Sequence, residues 1–130
     1  MQFTLKAIQE AQMKYTGPDF PKLIREFKAM GMVTNTYNLS NGQIQYVSNK
    51  GEHIDIKSEI TVGIIGEIYD EAAALAALKN NQTGKTDFIT FCKEIAEAGV
   101  YKWTSDLEIM TCSYYDHKEN TVIVEMIPSA

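Results

Sequence analysis

Cysteine is scarce in this chain: Cys92 and Cys112 stand alone, outside C-x-x-C spacing. That excludes a disulfide framework and a cysteine-built zinc site, and it suits two free thiols in a reducing compartment. Histidine is equally thin, with His53 and His117 only. The stretch Glu52-His53-Ile54-Asp55 is too loose for a metal motif, and His117 falls in a polar turn, so neither a metal nor another cofactor is expected. Long apolar runs are missing too. The longest, around Ile60 to Gly66, falls far short of the ~20 residues of a membrane span. The opening Met1-Gln2-Phe3-Thr4-Leu5-Lys6 lacks the basic-then-apolar order of a secretory leader, and a cytoplasmic location is the expectation. No glycine loop fit to cradle phosphate occurs, because Gly63-Ile64-Ile65-Gly66 lacks the lysine and the helix that should follow.

Positive charge is in short supply in one half only. Residues 1–65 carry seven Lys/Arg against six Asp/Glu, and residues 66–130 carry five against eleven, which makes up the net −5. A chain without a basic cluster makes a poor partner for nucleic acid. At 130 residues it fits a single domain, 1–130, able to bury roughly two-thirds of its unfolded surface.

The stretch present in most detail is Thr86 to Val100, followed at once by Tyr101 to Asp116. Asp87 offers a helix N-cap, Phe88, Phe91, Cys92 and Ile95 recur at helical spacing, and Gly99 suits the left-handed residue after a helix end. Tyr101–Ser105 and Ile109–Tyr115 then read as a hairpin, and Thr121–Met126 as a last strand after the turn at Asp116–Asn120. Upstream, Tyr69-Asp70-Glu71 opens an alanine-rich helix through Asn80, with the acids Asp70 and Glu71 favourably placed at the positive end of the dipole. Alternation makes Tyr101 and Trp103 share one face, and places Met110, Cys112 and Tyr114 together.

A degenerate copy lies 68 residues earlier. Asp19 matches Asp87, Phe20 matches Phe88, Gly31 matches Gly99, Ile44 matches Cys112 and Tyr46 matches Tyr114; Thr16-Gly17 answers Thr83-Gly84 at an offset of 67. In that first half, Thr4 caps a helix reaching Lys14, and Asp19 caps a second with Pro21 in its first turn. Val33–Ser40 and Gln43–Val47 are strands about a tight Asn41-Gly42 turn. The even positions Ile54 to Ile64 continue as a third strand. Repeat one then spans about residues 3–65 and repeat two about 69–127. A helix–helix–three-strand unit used twice predicts an α+β fold: a two-layer sandwich, its antiparallel sheet covered by helices on one face.

Gly84-Lys85-Thr86-Asp87-Phe88, Phe91-Cys92, Ala98-Gly99-Val100, Lys102-Trp103, Asp106 and Met110 to Asp116 together resemble the YdfO/YbcV-like group. These are small prophage-associated bacterial proteins, often labelled "phage envelope protein". Ile89 and Asn81 depart from a proline and a histidine usual in that group. The resemblance implies an α+β fold and brings no catalytic residues or cofactor.

The candidate contact residues are therefore Trp103, Asp106, Cys112, Tyr114 and Tyr115. Consecutive Tyr114 and Tyr115 must point to opposite sheet faces, so Tyr115 is expected on the uncovered one, near Asp106. The reading this favours is a non-enzymatic binding or interaction module, with a second copy or another protein on the uncovered face. The alternative is a small-molecule enzyme with a pocket between sheet and helices, using Cys112 or Cys92 with Asp106 or Asp87. It requires a thiol pKa lowered by a cation or a helix N-terminus. The packing alternative for both cysteines is burial, since Ile24 and Ile44 stand at their counterpart positions.

Overall fold

The computed structural model describes residues 2–15, 17–58 and 62–129. Its helices are α1 (Leu5–Lys14), α2 (Phe20–Ala29), α3 (Glu71–Gln82) and α4 (Phe88–Glu97). Its strands are β1 (Met32–Asn38), β2 (Gln43–Ser48), β3 (His53–Lys57), β4 (Val100–Asp106), β5 (Thr111–Asp116) and β6 (Thr121–Met126). The strands form one open antiparallel sheet in the order β3-β2-β1-β4-β5-β6. The fold is α+β in two layers, and helix–helix–three-strand occurs twice.

The helices start where side chains satisfy their orphan N–H groups. Thr4, Asp70 and Asp87 accept from Ala7, Ala73 and Thr90 at 3.1, 3.1 and 2.7 Å. All four helices cover the same sheet face. Phe27 of α2 packs edge-on to Tyr46, Phe88 and Phe91 of α4 pack on Trp103, Gln12 of α1 reaches Tyr46, and Gln82 of α3 reaches Glu125. The register places Tyr46, Asn35, Ser105, Cys112 and Glu125 in one row across the sheet, with Tyr37, Trp103, Tyr114 and Ile123 in the next inward row. The other face carries Thr34, Thr36, Thr104, Asp106, Ser113 and Tyr115, the residues between them.

The two halves repeat at the level of single hydrogen bonds. Asn38 Oδ1 accepts from Ser40 N–H, and Asp106 Oδ1 accepts from Glu108 N–H, 68 residues on. Ser48 Oγ accepts from the N–H groups of Lys50 and Glu52, as Asp116 Oδ1 does from Lys118 and Asn120. Leu39 donates to Tyr101 O, and Leu107 donates to Val33 O. Even the sheet irregularities agree, with register shifts between Met32 and Thr34 and between Val100 and Lys102. The symmetry has a visible centre: Thr36 pairs with Thr104, its own counterpart, and their hydroxyls lie 3.1 Å apart. A pseudo-twofold axis runs through that contact, perpendicular to the sheet.

Several expectations from the sequence are corrected. The third strand stops at Lys57 rather than running to Ile64; residues 62–66 form no strand, and Ile64 is exposed. Here the chain crosses to the second helical pair, and Gly66 N–H donates to Ala96 O at 2.8 Å. The expected strand position Ile60, like the Thr16 match, lies outside the described residues. The first hairpin turns over residues 39–42, with Gly42 N–H donating to Asn38 O, rather than over Asn41-Gly42 alone. Asp19 makes no capping bond, because a 3-10 turn, Gly17–Asp19, leaves its backbone at φ −87°, ψ 13° instead of extended. The α3 helix runs on to Gln82. Met110 falls in a turn at φ 56°, so it does not flank Cys112 along β5. The register shift takes Tyr101 out of strict alternation with Trp103: the Lys102 ammonium, on the uncovered face, lies 5.4 Å from the Tyr101 ring.

Candidate functional site: an aromatic cavity on the pseudo-twofold axis

A cavity of about 470 Å³ lies between the helices and the sheet. Its floor is the four inward residues that flank the axis: Asn35, Tyr37, Trp103 and Ser105. Under the 68-residue offset Asn35 corresponds to Trp103, and Tyr37 to Ser105. Divergence has therefore placed both large rings at one end of the floor and both small polar groups at the other. Tyr37 and Trp103 stack at 4.9 Å with 21° between their planes, and Asn35 and Ser105 form a polar notch beside them.

The upper wall is made by the starts of α2 and α4. Phe20 and Phe88, counterparts at the first helical position, are 36% and 43% exposed and face the cavity. The turn before α2 meets the end of α3 above it; a Cβ on Gly17 would sit 3.8 Å from the Asn81 carbonyl oxygen, and one on Gly84 3.4 Å from the Pro18 ring.

The lateral walls show the same divergence. In the first half, Gln12 Nε2 donates to Tyr46 Oη at 3.0 Å. In the second, Tyr114 Oη donates to Glu125 Oε1 at 3.4 Å, and Gln82 Nε2 lies 3.2 and 3.3 Å from the two Glu125 oxygens. Tyr37 Oη donates to Ser58 Oγ at 2.8 Å. Burial raises the pKa of Tyr37, Tyr46 and Tyr114, the last well above its ordinary value, so all three phenols stay protonated and able to donate.

The predicted contact residues divide into two groups. Trp103, Cys112 and Tyr114 line the cavity. Asp106 and Tyr115 lie on the opposite face, Tyr115 with the Lys102 ammonium 5.0 Å from its ring. Asp106 accepts from both Glu108 and Ile109 N–H, and its counterpart is the turn residue Asn38, so its carboxylate holds a hairpin. The Cys112–Asp106 pair is thus separated by the sheet. Cys112 instead meets Ser105 Oγ at 3.6 Å. Burial pushes its thiol up in pKa, and pushes Cys92, fully buried on the inner side of α4, up to about 12. Both shifts run opposite to what an activated thiolate needs. Among the described residues, no group of three or more His, Cys, Asp and Glu is placed to hold a metal ion.

Sequence reasoning missed Asn35, Tyr37, Ser105, Gln12, Gln82 and Glu125. A signal for the floor was present: positions 35/103 and 37/105 are inward-facing places where the copies disagree in size and polarity.

A match to the family described as "Protein of unknown function (DUF1398)" covers residues 8–126. The chain belongs to the DUF1398 family. It is also 32% identical over 104 residues to an uncharacterized protein of Mycobacterium bovis and to two of Mycobacterium tuberculosis strains, the match covering 78% of this chain. The aligned part spans 63% of the length of those relatives. The DUF1398 match takes in both copies of the repeat and most of the cavity wall, from Gln12 to Met126. No described helix is long and apolar enough to cross a membrane.

Proposed function

We propose that this DUF1398 member is a non-enzymatic small-molecule binding module whose single site is the cavity on the axis. The observation that carries this reading is the 470 Å³ space walled by Tyr37, Phe88, Phe91, Trp103 and Tyr114, with a few convergent polar groups. That size and make-up suit a mainly apolar, planar ligand with a polar end. The sandwich has one site rather than two because the cavity straddles the axis, and the diverged floor gives it one orientation. This moves the binding surface from the uncovered face, where Tyr115 lies, to the covered one. Kinship with the YdfO/YbcV-like group, a prophage setting and a cytoplasmic location stand with this proposal; the first two rest on the motif residues between Gly84 and Asp116.

The only tryptophan in the chain, Trp103, is in the cavity floor and reports occupancy directly. Titration with 9-anthracenemethanol, which accepts energy from tryptophan, is expected to quench Trp103 emission saturably and to raise the melting temperature by mass action. Ser105→Tyr, which fills the polar notch, should abolish both effects with the circular dichroism spectrum unchanged. Quenching that persists in Ser105→Tyr, or no saturable quenching, would put any binding elsewhere.

A further inference from the structure

Charge is distributed across the cavity wall in an unbalanced way. Among the described residues that line it there is no lysine, arginine or histidine, and Glu125 carries the one formal charge. Glu125 also has no cationic partner among the described ion pairs. Its oxygens are met by the Tyr114 hydroxyl and the Gln82 amide, two neutral donors at 3.2–3.4 Å that fix the carboxylate without neutralising it. An ionised carboxylate has about four acceptor sites, so capacity remains for another donor.

The position of that charge matters. Glu125 is on β6 in the inward row, opposite Cys112, and it is half-buried at one side of the cavity. Tyr114 connects it to the aromatic floor, with the Tyr114 and Trp103 ring centroids 6.1 Å apart. A ligand stacked over Trp103 and Phe91 therefore has a fixed negative charge within reach at one end, and electron-rich ring faces along its body. The counterpart wall is neutral, because Tyr46 is met by Gln12.

We infer that the cavity selects organic cations: an aromatic body bearing an ammonium group, held between Glu125 and the rings of Trp103 and Tyr114. Carboxylate–ammonium hydrogen bonding and cation–π attraction act together there, in a site partly withdrawn from water. An anion of the same shape meets repulsion from Glu125 and no compensating cation. This inference rests on the cavity being the binding site, and the test separates the two.

The experiment compares three probes of one shape by calorimetry and Trp103 quenching: 9-(aminomethyl)anthracene as the cation, 9-anthracenemethanol as the neutral form and 9-anthracenecarboxylate as the anion. The expected order is cation, neutral, anion, with about tenfold or more between the first two. Glu125→Gln keeps the shape and removes the charge. It should cut cation affinity by about tenfold while leaving the neutral probe within about twofold, and it should relieve exclusion of the anion. Because the amide introduced by Glu125→Gln could itself reorient, Gln82→Ala serves as a second variant: it frees Glu125 from a neutral donor, and cation selectivity should persist. Equal binding of cation and neutral probe, unchanged in Glu125→Gln, would overturn the cation assignment and leave the cavity reading standing. No binding of any probe would overturn both.

Discussion

The two halves agree in their turns and differ in their cavity walls. Asn38 and Asp106, Ser48 and Asp116, and Leu39 and Leu107 perform the same bond in each copy. Those bonds hold the backbone of the turns, and any drift there would misplace a hairpin. On the inward face, Asn35 has become Trp103, Tyr37 has become Ser105 and Ile44 has become Cys112. Substitution is tolerated there because the cavity leaves space for side chains to change size without repacking a dense core. The lesson is that duplication supplied a scaffold with an axial hole, and divergence on the axis gave that hole asymmetric walls.

The comparison can be broken most forcefully in the core. Phe27 and Ile95 are counterparts, 2% and 0% exposed. Phe27→Ala and Ile95→Ala should each lower stability by about 2–5 kcal/mol in urea denaturation, with one transition in each case. Two separate transitions would show that the halves are independently stable and share no core across the axis.

Smaller effects come from the helix-ending glycines. Gly31 and Gly99 both have positive φ, 90° and 100°. A Cβ at Gly99 would meet Tyr69 Cα at 2.8 Å and Ile68 O at 3.0 Å, whereas at Gly31 it would meet the movable Asn49 side-chain oxygen at 3.3 Å. Gly31→Ala should cost about 1–2 kcal/mol from backbone conformation alone. Gly99→Ala should cost more, on the order of 3 kcal/mol, since fixed backbone must also shift. Equal costs would mean that the segment before α3 gives way readily.

The cysteine that replaced Ile24 in the second copy should leave a pH signature. The unfolded thiol has a pKa of ~8.5, and burial pushes Cys92 up to about 12. A proton held more tightly in the folded state gives stability that is complete below about pH 8.5 and is lost as pH rises from there through about 12. Melting temperature should therefore fall over that range, with a shallower slope between about pH 8.5 and 10 in Cys92→Ala, before the raised phenols contribute. In native protein near pH 7.5, neither Cys92 nor Cys112 should label rapidly with a thiol reagent. Fast labelling of Cys112 would return attention to nucleophilic chemistry in the cavity.

The smallest difference is at the caps. Hydrogen bonds from Thr90 hold the Asp87 carboxyl below its ordinary pKa, and Asp19 makes no such bond. Asp87→Ala should lower the melting temperature at pH 7 and Asp19→Ala should leave it nearly unchanged. The stabilisation from Asp87 is present above the ordinary carboxyl pKa of ~3.9 and is lost as pH falls through its lower folded value, so the two variants should converge in acid. A loss on Asp19→Ala equal to that on Asp87→Ala would mean that the first-half cap forms in solution.

Secondary structure was readable in this sequence because it is set by neighbours in the chain. The caps at Thr4 and Asp87, the acids at the start of α3, the glycines after α2 and α4, and the helical spacing of Phe91, Cys92 and Ile95 are local signals. The 68-residue offset added the sandwich, and strand alternation added the opposite facing of Tyr114 and Tyr115. What sequence could not supply was partnership across distance. Whether Cys112 meets Ser105 or Asp106 depends on strand register, and one step of register exchanges the two faces. The place of Glu125 beside Tyr114 and Gln82 joins β6, β5 and α3, which only packing brings together. Local chain chemistry thus determined the elements and their duplication. The cavity was decided by tertiary structure alone, because a space is defined by residues that are distant in sequence and touch nothing between them.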